Sequence, residues 1–193
     1  MGSVSRGWHH FCTITHHKGL VLRNCFRVGL YWQGIVHDLS KYSLTEFRVG
    51  VHYYQGDRSP NTAERADIGY STAWMHHKGR NKHHYEYWTD MRANRDATFE
   101  GKPIPTRYVV EMLCDRVAAS KVYQGSAYKD DSVLNYFKLE QSAQGDLMFH
   151  PESQQLLETM LTWLAEEGEK TAFKRIRTEI VKARYTTPST KKF

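Results

Sequence analysis

"GLVLRNCFRVGLYWQGIVHDLSKY", residues 19–42, is the stretch that decides the fold. Its apolar residues at 20, 21, 25, 28, 30, 31 and 35 recur close to every 3.6 positions, the period of an amphipathic helix. The strict alternation of a half-buried strand is absent. The stretch closes on His37 and Asp38, which follow the apolar pair Ile35 and Val36. Consecutive helical residues point about 100° apart. Both side chains can therefore grip one ion only at a helix end, or with a second ion nearby.

The same period continues outward. Ser43 opens "SLTEFRVGVHYY" with Glu46 three residues on, the spacing of a capping box. "GDRSPN", 56–61, reads as a loop. "TAERADIGYSTAWMHH", 62–77, reads as one helix with apolar positions at 63, 66, 70, 73 and 74, interrupted by Gly79. "GKPIP", 101–105, is a loop by its glycine and two prolines. Thr106 is placed to cap "RYVVEMLCDRVAASKVY", whose residues 109, 110, 113, 117 and 118 form a buried face. "SVLNYFKLEQSA" is a further short helix. Pro151 stands where a first-turn proline belongs, and Gly168 divides the last helical run. No β pattern stands out, so the expected fold is all-α, one domain over residues 1–193.

Composition narrows the class. Apolar residues make up 40% and aromatics 13% of 193 residues, which describes a globular chain. No run approaches the ~20 apolar residues of a membrane span, and no apolar leader stands at the N-terminus. Cys12, Cys25 and Cys114 are widely spaced without a CxxC pair. That argues against a disulfide framework or zinc ribbon, and fits a reducing, cytoplasmic setting. The net charge of +6 sits at one end: residues 170–193 carry +7 and the rest −1. A basic tail at 186–193 fits contact with nucleic acid as well as it fits a solvated end.

The chemistry gathers on histidines and carboxylates. A neutral imidazole beside a carboxylate, as in His37 and Asp38, suits a divalent manganese, iron, cobalt or zinc ion. Lys41, one turn on, is placed to meet an anionic oxygen. His16 and His17 lie upstream. "HHKGRNKHHYEYW", 76–88, packs His76, His77, His83 and His84 into nine positions. Asp115 interrupts the apolar face of "MLCDRVAAS", and a buried carboxylate needs a cation or several donors. His9, His10 and His150 read as surface residues. Arg58, Arg80 and Lys82 can form an anion-holding rim or remain solvated.

The order His, His-Asp, His-His, Asp on helices resembles the HD superfamily of metal-dependent phosphohydrolases over roughly residues 13–124. "GIVHDLSK" is similar to its "LLHDIGK" signature, "WMHHKG" to the "HHE" segment of the HD-GYP branch, and "MLCDRVAAS" to the "ADxxDA" helix. The longer strings "HDLSKYSLTEF", "YYQGDRSP", "AWMHHKGRNKHHYEYW" and "EMLCDRVAAS" are similar to an uncharacterised bacterial and phage domain family. The resemblance implies an HD-like helical bundle, followed here by helices over 131–185 and the tail. It implies His17, His37, Asp38 and Asp115 as metal ligands, with Asp38 bridging if two ions bind. His76 and His77 match the paired histidines of the two-metal branch, and His52 falls near a further ligand of that branch. The short spacing from His17 to His37 leaves His16 or His10 open as the first ligand. The "GYP" triplet is absent, which counts against cyclic-dinucleotide hydrolysis.

The expected activity is hydrolysis of a phosphate ester or anhydride with one or two divalent ions. Lys41 and Arg80 would offset phosphate charge, and His84 or His83 would protonate the leaving oxygen. Tyr53, Tyr54, Tyr85, Tyr87 and Trp88 can stack a nucleotide base or belong to the core. Two other readings use the same residues: a di-iron oxygenase, and a non-catalytic module that binds a nucleotide or nucleic acid.

Overall fold

The computed structural model describes residues 3–93, 98–144 and 148–183. The basic tail at 186–193 lies outside them. Among the described residues are eight α-helices: α1 (Ser3–Val28), α2 (Tyr31–Val36), α3 (Leu44–His52), α4 (Pro60–Ile68), α5 (Thr72–Lys78), α6 (Thr106–Gln124), α7 (Ser132–Gln144) and α8 (Pro151–Arg175). The all-α expectation holds. One departure is a small antiparallel hairpin, β1 (Thr89–Met91) and β2 (Phe99–Gly101), with Asp90 opposite Glu100. Its strands are three residues long, too short to show an alternating pattern. No described helix is long and apolar enough to cross a membrane.

The core lies between α1, α6 and α8. Val21, Cys25 and Val28 of α1 meet Val110, Leu113, Cys114 and Val117 of α6, and Leu157, Met160, Leu161 and Leu164 of α8 close the other side. Each fully buried aliphatic side chain there contributes about 1.5–3 kcal/mol. Phe137 of α7 and Phe173 complete the packing, so the C-terminal helices share one core with the segment that resembles an HD bundle. Glu169 pairs with both Arg27 and Lys121, which ties α8 to α1 and α6.

Glycines and prolines set the breaks. Gly29, at φ 88°, ends α1 and lets the chain reverse into α2. The run 62–77 is two helices rather than one, because Gly69 takes φ 85° and Ser71 then caps α5 by accepting from Trp74 N–H. Pro105, not Thr106, is the residue flanking α6, and Thr106 is buried in the first turn. Pro151 opens α8 as expected, and Gly168 kinks it at φ 77°.

Candidate metal centre

α2 stops at Val36, and the next two residues leave helical geometry: His37 is extended and Asp38 takes the left-handed φ of 53°. Asp is among the few residues that tolerate this region. The helix end therefore removes the divergence that a continuous helix would impose, and both side chains enter one buried cluster. Lys18 of α1 fixes the turn, donating from Nζ to the carbonyls of Ile35 (2.9 Å) and His37 (2.6 Å).

Three other elements converge there. His17 arrives from α1 and Asp115 from α6, with His17 Nε2 2.9 Å from Asp115 Oδ1. His77 comes from the last turn of α5. Beyond α5 the chain doubles back, with Arg80 N and Asn81 N both donating to His77 O, and this reversal returns His83 and His84 to the same place. Two four-residue groups result, each with donor atoms within 4.8 Å of one another: His17, His37, Asp38 and Asp115, and Asp38, His77, His83 and His84. Asp38 is common to both. Its Oδ2 faces His37 Nε2 (3.3 Å) and its Oδ1 faces His77 Nε2 (3.2 Å) and His83 Nε2 (3.4 Å).

A second layer of carboxylates sets the ring orientations. His37 Nδ1 donates to Glu111 Oε1 (2.9 Å), His83 Nδ1 approaches the same oxygen (3.3 Å), and His77 Nδ1 donates to Glu46 Oε2 (2.8 Å). Glu46 also receives His76 Nδ1 at 2.6 Å. Burial opposes charge on Glu111 and Glu46, yet these imidazole bonds hold both carboxyls below their usual range. Ionised carboxylates accept, so the Nδ1 atoms donate to them and the Nε2 atoms point inward. This is the arrangement by which metal-ligating histidines are oriented.

The inward atoms meet one another at ion-pair distances, and several of them make no aligned hydrogen bond. Nε2 of His17, His37, His83 and His84 and Oδ1 of Asp38 are buried without an aligned hydrogen bond. Burial opposes charge on Asp38 and Asp115, but the surrounding histidines, with Lys41 beside Asp38, hold both carboxyls well below the usual range. Burial likewise opposes charge on His37, while Asp38, Asp115 and Glu111 hold its pKa well above the imidazole value. Four carboxylates surround the centre and two lysines answer them: Lys41, with Nζ 2.6 Å from Asp38 Oδ2, and Lys18, which Asp38 and Glu111 attract. The remaining negative charge calls for protons on the imidazoles or for cations between them.

Several expectations change. Of the three candidates for the first ligand only His17 enters the cluster: His16 is exposed, and His10 is buried elsewhere in the cavity wall rather than on the surface. His76 stays outside both groups, held by Glu46. His52 is exposed at the end of α3. Arg80 is exposed and donates to His76 O at 3.3 Å, so it caps α5 and does not face the cluster. Arg58 pairs with Asp57 on the surface. His84 belongs to the second group, and burial with His83 and His77 nearby pulls its pKa well below the usual value. Glu46 and Glu111, which the sequence pattern does not mark as site residues, brace the cluster.

A cavity of about 590 Å³ opens from the cluster. His17, Lys41, His77, His83, His84 and Asp115 line its inner end. Trp74 walls it, stacked on His77 and edge-on to His84. Tyr85 lines the cavity, while Tyr53, expected as a stacking partner, donates to Asp67 on the exterior.

An all-α bundle with a carboxylate-braced histidine cluster at the foot of a cavity is the class of protein that this architecture defines. The chain belongs to DUF5662, a family of unknown function, which matches residues 6–163 and thus spans the whole cluster. No curated protein and no solved structure matches it.

Proposed function

We propose that this protein is a metal-dependent phosphohydrolase of the HD type, acting on a phosphate ester or anhydride of the nucleotide class. The observation that carries the reading is the facing of Nε2 atoms and carboxylate oxygens in one buried cluster. His37, His77 and His83 direct Nε2 at the oxygens of Asp38 from 3.2–3.4 Å, while their Nδ1 atoms are committed to Glu111 or Glu46. Each such pair needs a proton or a metal cation between its atoms, and the donor set suits the metal. The donor set of imidazole and carboxylate fits manganese, iron, cobalt or zinc.

His17, His37, Asp38 and Asp115 would hold one ion, and Asp38, His77, His83 and His84 a second. Such ions supply Lewis-acid polarisation of a phosphoryl oxygen and lower the pKa of water toward neutrality. The chain's own residues do the rest. Asp38 presents one oxygen to each group. Lys41, whose pKa is raised by Asp38 against the effect of burial, stays cationic and offsets charge on the phosphoryl group. Trp74 and the buried flank of α6 keep bulk water from the inner cavity. The test is phosphatase activity on nucleotide and aryl phosphates after removal of metal and single-metal reconstitution. Activity that returns with one of the four ions and is absent in Asp38→Asn supports the reading. Fully metal-loaded protein that hydrolyses none of them contradicts it.

A further inference from the structure

α1 is apolar on two sides. Its core side carries Ile14, Val21, Cys25 and Val28. On the other side Val4, Trp8 and Phe11 recur at i, i+4 and i+7, with Phe26 further along the same stripe, and all four are exposed. A surface helix ordinarily turns polar residues outward. α2 extends this outer face. Gly34 lies so close to α1 that a Cβ would meet Cys25 Cβ at 2.9 Å, while Trp32 and Ile35 are exposed. Trp8 stacks on Phe11, and Phe11 meets Tyr42 edge-on at 6.0 Å between centroids. These rings join the start of α1 to the 3-10 turn Leu39–Tyr42, whose Leu39 is exposed, and to Leu44, the first residue of α3. Trp8 is 64%, Trp32 70% and Leu44 77% exposed, so packing within the chain accounts for none of them.

We propose that this face docks on an anionic lipid bilayer, lying in the interface without spanning it. Charge selects that occupant. Between residues 3 and 56 the acids are Asp38 and Glu46, and both are buried at the histidine cluster. Arg23 of α1 and Arg48, one turn from Leu44 on α3, are exposed and pair with no acid among the described residues. The segment that builds the face therefore shows solvent cations and apolar side chains, and no carboxylate. A second copy of the chain would set this acid-free surface against itself. Nucleic acid would answer the arginines but leave Val4, Ile35, Leu39 and Leu44 without apolar partners. A bilayer with anionic lipid meets both: tryptophan and tyrosine settle at the headgroup level, aliphatic side chains reach the acyl boundary, and arginines meet the negative surface. No residue of the face is a ligand in the cluster, so the inference stands apart from the phosphohydrolase reading.

The test is cosedimentation of the full-length protein with vesicles of phosphatidylcholine alone and of phosphatidylcholine mixed with phosphatidylserine. Three chains are compared: wild type, Trp8→Ser with Trp32→Ser, and Arg23→Glu with Arg48→Glu. All four positions are exposed, and a thermal melt confirms that both variants fold. The expected result is that wild type binds the mixed vesicles and not the neutral ones. Each double variant should bind them at least about tenfold more weakly. Wild type that binds neither vesicle, or both equally, would overturn the proposal. So would binding that both variants retain, which would assign it to the basic residues 170–193. A wild-type dimer in sedimentation velocity that the tryptophan variant makes monomeric would give the face to a second copy and overturn the proposal too. None of these readouts depends on metal or on phosphatase activity, so failure here is separable from failure of the phosphohydrolase reading.

Discussion

α6 carries two regions on one helix. Leu113, Cys114 and Val117 face α1 and α8 with no exposure, and every one is satisfied by packing alone. Glu111 and Asp115, one turn apart on the same helix, face the histidine cluster. There Nε2 of His17, His37, His83 and His84 is buried without an aligned hydrogen bond. The first region is complete as it stands. The second is complete only with something added. A buried region that fails its own hydrogen-bond accounting is therefore a better pointer to function than burial or charge alone.

Variants can break or sharpen this contrast. Asp38→Asn should have the largest effect on the site, since Asn keeps the left-handed turn and removes the shared charge. Metal content should fall to near zero and activity by about 1,000-fold or more, by analogy with the loss of a principal charge-stabilising group. Elemental analysis and a phosphatase assay read both. The same variant should lower the metal-free melting temperature, because it leaves Lys41 and the surrounding imidazoles without the carboxylate that they stabilise.

Leu161→Ala should spare the site. It should destabilise the fold by about 3 kcal/mol in urea titration and leave metal stoichiometry intact in the folded fraction. A core variant that also lost metal selectively would blur the distinction between the two regions.

Glu111→Gln tests the bracing layer. It should weaken metal affinity by about 10- to 100-fold, measured by competition with a chelator, while the protein still folds. Lys18→Met, which releases the His37 turn, should show a smaller shift in the same direction.

The smallest effect is a pH dependence away from the site. Burial opposes charge on Glu64, but bonds from the Ser71 (2.6 Å) and Thr72 (2.5 Å) hydroxyls and the α5 amides hold its carboxyl below the usual value. A depressed carboxyl stabilises the fold above its unfolded pKa of about 4.3, and that stability is lost as pH falls through the folded value. Glu64→Gln should therefore flatten the acid limb of a stability–pH curve below about pH 4.3 and leave metal binding unchanged.

Much of this was legible in the sequence. The proline at 151 and the glycine at 168 mark their elements, whereas the single helical period of residues 19–42 hides the break at Gly29 that divides α1 from α2. The adjacency of His37 and Asp38 called for a helix end or a second ion nearby, and the chain ends α2 at Val36. Asp115 was visible as an acid on an apolar face. Glu111 carried the same signal four residues earlier and was passed over. Glu46 was hidden by its capping-box spacing: Ser43 does accept from Glu46 N–H, but the carboxylate reaches His76 and His77 instead of closing the box. His83 and His84 were obscured because helical spacing through Gly79 could not return them to His77. The chain reverses there through a turn, and turns carry no period to read.

The most direct test of the central claim is the metal content of untagged, full-length protein by elemental analysis, beside Asp38→Asn. The account predicts about two transition-metal ions per chain, the number of groups that share Asp38, and their loss in the variant. Protein that holds no metal after supplementation with manganese, iron, cobalt and zinc would contradict it, and so would a content that Asp38→Asn leaves unchanged.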